Sequence, residues 1–197
     1  MDDLYTVFAN FLGDVDYSEE AYSAEINYDL GGLRLTSVTA LRDSSERQTQ
    51  DFDGTSIPFF QTDRAQDYKQ VSQELRLAGD FTDSISGVLG LFYFENEYQL
   101  DSTTILPGGA SSSNGTDHQT KSYAAFADFD FELTEQLRLS VGGRYSYDEK
   151  AYRRFVLNGI DLSNEDDWSQ FTPRVSLDYE VSDDLLVYAS YARGYRS

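Results

Sequence analysis

Cysteine is absent, and histidine and tryptophan occur once each among 197 residues, with only three prolines. A chain without cysteine has no disulfide scaffold and no thiolate metal site. It is compatible with an oxidising compartment in which it does without disulfides. The lone His118 sits among Gly, Ser and Asn, with no second His or Cys to complete a transition-metal site, and reads as a solvated loop residue. Basic residues are few, 15 against 35 Asp and Glu, giving a formal charge of -20. That balance lacks the basic footprint of a nucleic-acid binder and disfavours an anionic cytoplasmic leaflet. No run of about 18 apolar residues exists, so no transmembrane helix is expected. The N-terminal stretch lacks the basic start and cleavage site of a signal peptide. No G-x-S-x-G elbow occurs and no His is placed to serve as a base, which argues against an enzyme. The acidic Glu165, Asp166 and Asp167 lack the spacing of a calcium loop and read as solvated. No cofactor is expected.

What the chain does have is period-two alternation, clearest from Lys121 to Lys150. Tyr123, Ala125, Ala127, Phe129, Phe131 and Leu133 fall on one parity, which resumes at Leu137, Leu139, Val141, Gly143, Tyr145 and Tyr147. The other parity carries Asp128, Asp130, Glu132, Arg138, Ser140 and Arg144. Successive strand side chains point to opposite faces, so these are two strands with one apolar and one polar face, joined at Thr134-Glu135-Gln136. Each arm is about 11 residues, enough to cross a bilayer when tilted.

Eight strands are expected, at about 21–30, 33–42, 68–78, 85–98, 121–133, 137–148, 171–181 and 185–195. Residues 1–18 form a lead-in without a clean period. Gly31-Gly32 suits a type I′ hairpin turn, with positive φ at both centres. Phe81 to Ile85, Leu133 to Leu137 and Val181 to Leu185 share one turn pattern, a hydroxyl and then an acid between apolar residues. Three long polar connections, 43–67, 96–120 and 149–169, alternate with the tight turns. A meander would gather them at one end of the sheet as its most mobile parts.

Two architectures fit. In a soluble all-β protein the apolar face is a core; in a transmembrane barrel it meets lipid and the polar face lines the lumen. Near-spanning strands, two-sided turn lengths and tyrosines toward strand ends (Tyr22, Tyr93, Tyr123, Tyr145, Tyr147 and Tyr191) favour the barrel. Glu74, Arg76, Asp128, Asp130, Arg138, Arg144, Arg174 and Asp178 share the polar parity. An Arg on the lipid side costs roughly 2–4 kcal/mol at midplane, so this parity faces the lumen. Six of these residues, Glu74, Arg76, Asp128, Arg138, Arg144 and Arg174, are candidates for a substrate path or plug contact. The structural alternative is mutual salt bridging.

VSQELRLAGDFTDSISGVLGLFYFENE, residues 71–97, resembles the barrel of TonB-dependent outer-membrane receptors, where an S-Q-E-x-R-L strand leads through a short turn to G-L-F-Y-F. The stretch 121–150 resembles the next hairpin, ending G-x-R-Y-x-x-D-E-K, and 171–197 the one after, with T-P-R and V-Y-A-S-Y-x-R-G-Y. LGGLRLTSVTALRD, residues 30–43, is similar to an earlier hairpin. The resemblance runs over residues 21–197 in family order. It implies an outer-membrane protein of a Gram-negative bacterium with a plugged barrel of about 22 strands. Such receptors import ferric siderophores or other scarce nutrients with energy relayed from TonB. The expectation for residues 1–197 is a partial barrel domain, an antiparallel meander in an open curved sheet. Its partners would be outer-membrane lipid, a plug and the remaining barrel strands, with TonB engaged only through a full receptor. The alternative is a stand-alone small barrel or a soluble β-sandwich with a structural or binding role.

Overall fold

The alternation folds as eight antiparallel strands in one sheet, hydrogen-bonded in chain order from first to last. The structure, a computed structural model, describes residues 9–156, 159 and 161–196. Residues 1–8 of the lead-in, and Asn158 in the third connection, lie outside the described residues. The strands are β1 (Asp14–Leu30), β2 (Leu33–Asp51), β3 (Gln61–Thr82), β4 (Ile85–Ile105), β5 (Ser111–Thr134), β6 (Leu137–Val156), β7 (Asp161–Ser182) and β8 (Leu185–Ala192).

All eight expected strands are present, but their far ends differ from expectation. β5 runs for 24 residues and β3 for 22, which at about 3.3 Å per residue makes β3 about 70 Å long. The three long polar stretches are mostly strand: the first two connections shrink to 52–60 and 106–110, β6 runs on to Val156 and β7 begins at Asp161, and regular strand covers 111–117. Both faces are wet in these outer halves. Polar residues then occupy both parities, and the alternation that marks a half-buried strand disappears although the backbone ladder continues. At the other end β8 stops at Ala192, short of the expected 195, and β1 begins at Asp14, inside the lead-in.

The tight turns also differ in detail. Gly31 has φ +72°, and Gly32 is not among the positive-φ glycines. One positive φ at the first centre fits a II′ turn rather than I′. The other three turns hide a bulge. Asp80 pairs with Ser86 while Thr82 pairs with Ile85, so Phe81 is the extra residue. Leu133 and Val181 occupy the same position in the next two hairpins. A two-residue loop alone would oppose unlike faces. The bulge restores the match, returning Phe81 to the apolar side, where its ring meets Phe129 with centroids 5.2 Å apart.

The sheet has no second layer. Among the described residues Ala124 is the one buried hydrophobic, at 8% exposure, while Leu91, Tyr145 and Leu177 stand open. A sandwich would cover this face with another sheet, and the described residues form none. Nor does β1 pair with β8, so the sheet does not close as a small barrel. Both stand-alone alternatives are overturned.

Candidate functional site

The register assigns every charged residue to a face. Phe131 pairs with Leu139 and Phe129 with Val141, whereas Glu132 pairs with Arg138, Asp128 with Gly142 and Phe126 with Arg144. Leu139 and Arg144 therefore lie on opposite sides, as the period of two requires. On the polar face the row Asp128, Gly142, Arg174 crosses β5, β6 and β7. Arg174 Nη1 donates to Asp128 Oδ2 at 3.3 Å, reaching over the intervening strand. Gly142 makes this possible: a Cβ there would stand 2.3 Å from Asp128 Oδ2. Arg138 faces its register partner Asp178 at 3.7 Å, and Arg76 meets Glu74 at 3.2 Å. Arg144 lies over aromatic rings, 5.2 Å from the Phe92 centroid and 5.8 Å from that of Phe126. Its Nε donates to Ser146 Oγ at 3.1 Å. The six candidates are thus not one cluster. The sheet joins Asp128 to Arg174 and Glu74 to Arg76, gives Arg138 a different acid, and seats Arg144 on aromatics.

The apolar face has a definite upper limit. Tyr93, Tyr123 and Tyr147 form one row across β4, β5 and β6, with centroids 5.2 and 6.4 Å apart. Two residues further out on the same face stand Glu95, Lys121 and Glu149. The Tyr93 hydroxyl donates to Glu95 at 2.5 Å and that of Tyr147 to Glu149 at 3.3 Å. A ring in the apolar band with its hydroxyl on a carboxylate outside it is the arrangement of an interfacial girdle. The girdle is staggered. The row of Tyr22 meets β7 at Asp167, whereas that of Tyr191 meets it at Val175, a slope expected of strands tilted in a barrel wall. Three polar residues on this face, Ser37, Thr39 and Gln73, satisfy one another: Gln73 Nε2 donates to Ser37 Oγ at 2.9 Å, and Thr39 Oγ1 donates to Gln73 Oε1.

A family model, TonB dependent receptor-like, beta-barrel, matches residues 2–197. The chain belongs to the TonB-dependent receptor β-barrel family. It is 29% identical over 138 residues to the pesticin receptor of Yersinia pestis, covering 66% of this chain and 20% of that protein. The pesticin receptor of Yersinia enterocolitica matches equally. The chain thus spans about a fifth of the length of these curated relatives. Among solved structures it is similar to the ferric yersiniabactin uptake receptor FyuA from Yersinia pestis, with a TM-score of 0.76 and 19% identity over 88% of this chain and 27% of that one. It is also similar to the siderophore receptor PiuA from Acinetobacter baumannii, with a TM-score of 0.68 and 13% identity over 90% of this chain and 32% of that one. At these identities the structural matches establish the fold.

The TonB-dependent receptor family consists of outer-membrane β-barrel proteins of Gram-negative bacteria, receptors and transporters rather than enzymes, and this chain is placed in that membrane. In a barrel of this kind one face of each strand meets lipid and the other faces the lumen. Short turns lie on the periplasmic side and the longer connections outside. The outer halves of the receptor strands carry what the sequence reading left out. Tyr68, Tyr98, His118 and Tyr152 share one row on the face of Arg144 and Arg174. The His118 ring is 6.1 Å from Tyr98 and 4.7 Å from Tyr152. His118 is exposed, as expected, but on a strand rather than in a loop. Glu165, Asp166 and Asp167 likewise lie on β7. The signal for the aromatic row was the parity of the inner halves carried outward, Phe92 and Phe94 continuing to Tyr98.

The connection 52–60 is built on Asp53. Its Oδ1 accepts from the Thr55 amide at 2.8 Å and hydroxyl at 2.5 Å, and Oδ2 accepts from the Phe59 and Phe60 amides at 3.1 and 2.6 Å. These donors, the Thr55 hydroxyl foremost, hold its carboxyl down at about 2. At the third connection, Arg153 grips Asp161 through Nε and Nη2 at 3.1 and 2.7 Å, which keeps the Asp161 carboxyl below its usual range.

Proposed function

We propose that this chain forms part of the barrel wall of an outer-membrane importer of ferric siderophores, the role named for the yersiniabactin and siderophore receptors it resembles. The domain assignment proposed for residues 1–197 is that of one continuous section of barrel. Supporting this reading above all is a sheet with two unlike faces and no core: one face suited to lipid, the other carrying charges balanced across strands. Asp128, Arg174, Arg138, Glu74 and Arg76 are largely neutralised where they stand, which suits a lumen wall that another polar body packs against. Arg144, held on Phe92 and Phe126, keeps its charge free of carboxylates and is the best placed of the six to meet an anionic ligand or a plug. Further out, the row from Tyr68 to Tyr152 is what a ligand arriving from the external side meets first. The six lumen residues are positioning and contact groups; none performs chemistry.

The test is a chimaera in which this chain replaces the matching segment of the Yersinia pesticin receptor. Uptake of radioactive iron as ferric yersiniabactin by iron-starved cells should be retained, and Arg144→Glu should reduce it at least several-fold. Assembly of the chimaera in the outer membrane with no uptake of any ferric chelate would refute the import reading.

A further inference from the structure

We propose that a recess on the polar face of β5, β6 and β7 binds a small hydroxycarboxylate anion, held by the guanidinium groups of Arg144, Arg193 and Arg196. β8 ends at Ala192, and the Arg193 amide adds one more rung by donating to the Pro173 carbonyl at 3.1 Å. Beyond that rung the chain leaves the sheet edge. Arg193 and Arg196 line one recess with Ser122 of β5 and with Arg144, Ser146 and Asp148 of β6. Residues 193–196 therefore reach inward over β6, on the face that carries Arg174. The recess has a volume of about 360 Å³. Ser146 and Asp148 form its floor, 8% and 7% exposed, while Arg193 and Arg196 stand exposed at its rim.

Charge sets the occupant as an anion. In a chain of 15 basic against 35 acidic residues, this recess is lined by three arginines and one acid. Arg174, Arg138 and Arg76 each have a carboxylate partner, whereas among the described residues Arg144, Arg193 and Arg196 form no ion pair. Arg144 is already fixed, because it lies over Phe92 and Phe126 and its Nε donates to Ser146 Oγ at 3.1 Å. A planar fork held in place loses little freedom on meeting a carboxylate. Ser146 Oγ is the acceptor there, so its own proton is left to donate to a ligand oxygen. The Asp148 carboxylate only accepts and repels a bare anion, which fits a ligand hydroxyl beside the carboxylates. The volume exceeds what one tetrahedral oxyanion fills and falls within the range of small-molecule sites, about 300–1,000 Å³. The assignment rests on the import reading above, in which the polar face lines the path of an anionic chelate.

The test is isothermal titration calorimetry on the detergent-purified chimaera, which carries the full chain. The probes are citrate, tricarballylate (citrate without its hydroxyl) and inorganic phosphate. One citrate should bind per receptor, more tightly than tricarballylate or phosphate. Arg193→Gln and Arg196→Gln should each weaken it by about ten-fold, the loss of one charge-assisted hydrogen bond. Asp148→Asn, which removes the repulsion, should tighten tricarballylate and erase the preference for citrate. Arg34→Gln removes an arginine tied to Asp29 elsewhere on this face and should change nothing. Phosphate binding as tight as citrate, or citrate binding unchanged in the Arg193 and Arg196 variants, would overturn the proposal. So would citrate binding that appears only when the plug is deleted, which would give the recess to a plug carboxylate. No transport enters these readouts. Citrate failing to bind a chimaera that still imports ferric yersiniabactin would overturn the recess and leave the import reading standing.

Discussion

Gly142 decides whether Asp128 and Arg174 can meet. Side chains two strands apart in a row are ordinarily separated by the residue between them, and only the missing Cβ opens the path. Exposed pairs of this kind are worth about 0.2–1 kcal/mol, so the effect belongs in the coupling rather than in overall stability. In a double-mutant cycle with Asp128→Asn and Arg174→Gln, the coupling is expected to fall to near zero in a Gly142→Val background. An unchanged coupling would mean that the pair does not depend on the gap. Asp53 sets a second expectation at this scale. Its folded carboxyl lies at about 2, below the ordinary carboxylate range. The stability it lends the 52–60 connection is therefore fully present above the unfolded value and is lost as pH falls through about 2. Amide exchange at Phe60, measured by nuclear magnetic resonance, should stay protected at pH 4 and open only near pH 2. Asp53→Ala should expose that amide at neutral pH while leaving the sheet intact. Gly142 and Asp53 were both visible in the sequence, but neither role was. One depends on register across three strands, the other on a backbone folding back onto a carboxylate.

At the scale of the strand, the bulges at Phe81, Leu133 and Val181 keep the two faces in phase through each hairpin. Deleting Leu133 removes the extra residue alone, so Glu132 still meets Arg138 and Phe131 still meets Leu139. Arg138 and Arg144 then keep their face, and the roughly 2–4 kcal/mol that an Arg costs on a lipid face at midplane is avoided. Assembly in the outer membrane, read from protease resistance and heat-modifiable gel mobility, should therefore survive the deletion as it survives Leu133→Ala. Loss of assembly in the deletion alone would show that the bulge does more than keep the faces in phase. The inner halves of these strands were legible because one face is apolar and the other is not. The outer halves, such as 111–120 on β5 and 161–169 on β7, read as loops in the sequence because water on both sides removes the pattern and leaves only the backbone ladder.

At the scale of the molecule, the sheet ends in two open edges. Among the described residues β1 lies along β2 alone, and β8 pairs with β7 only from Arg174 to Ser182, leaving the outer half of β7 bare on that side. Unpaired backbone of this length seeks another strand, and none of the eight strands has an apolar core beneath it. Expressed by itself, the 197-residue chain is expected to self-associate and to give neither ferric-chelate uptake nor a response to TonB. Monodisperse behaviour in plain buffer, or ligand-dependent uptake by cells making only these residues, would contradict the barrel-wall account.

The sequence alone determined the number of strands, their order, the face on which Leu139 and Arg144 each lie, and the family. The first three follow from a period of two and from turn chemistry, which are local properties, and the family from the resemblance of residues 21–197 to its hairpins. Tertiary structure decided which rows come together: Asp128 with Arg174 across Gly142, Arg144 onto Phe92 and Phe126, the tyrosine row under its charged row, and Arg193 and Arg196 over Ser146 and Asp148. It also decided where the strands stop and that β1 leaves β8 unpaired. Register between strands depends on the whole ladder and its bulges, and a single-residue change in it rearranges every such neighbour at once.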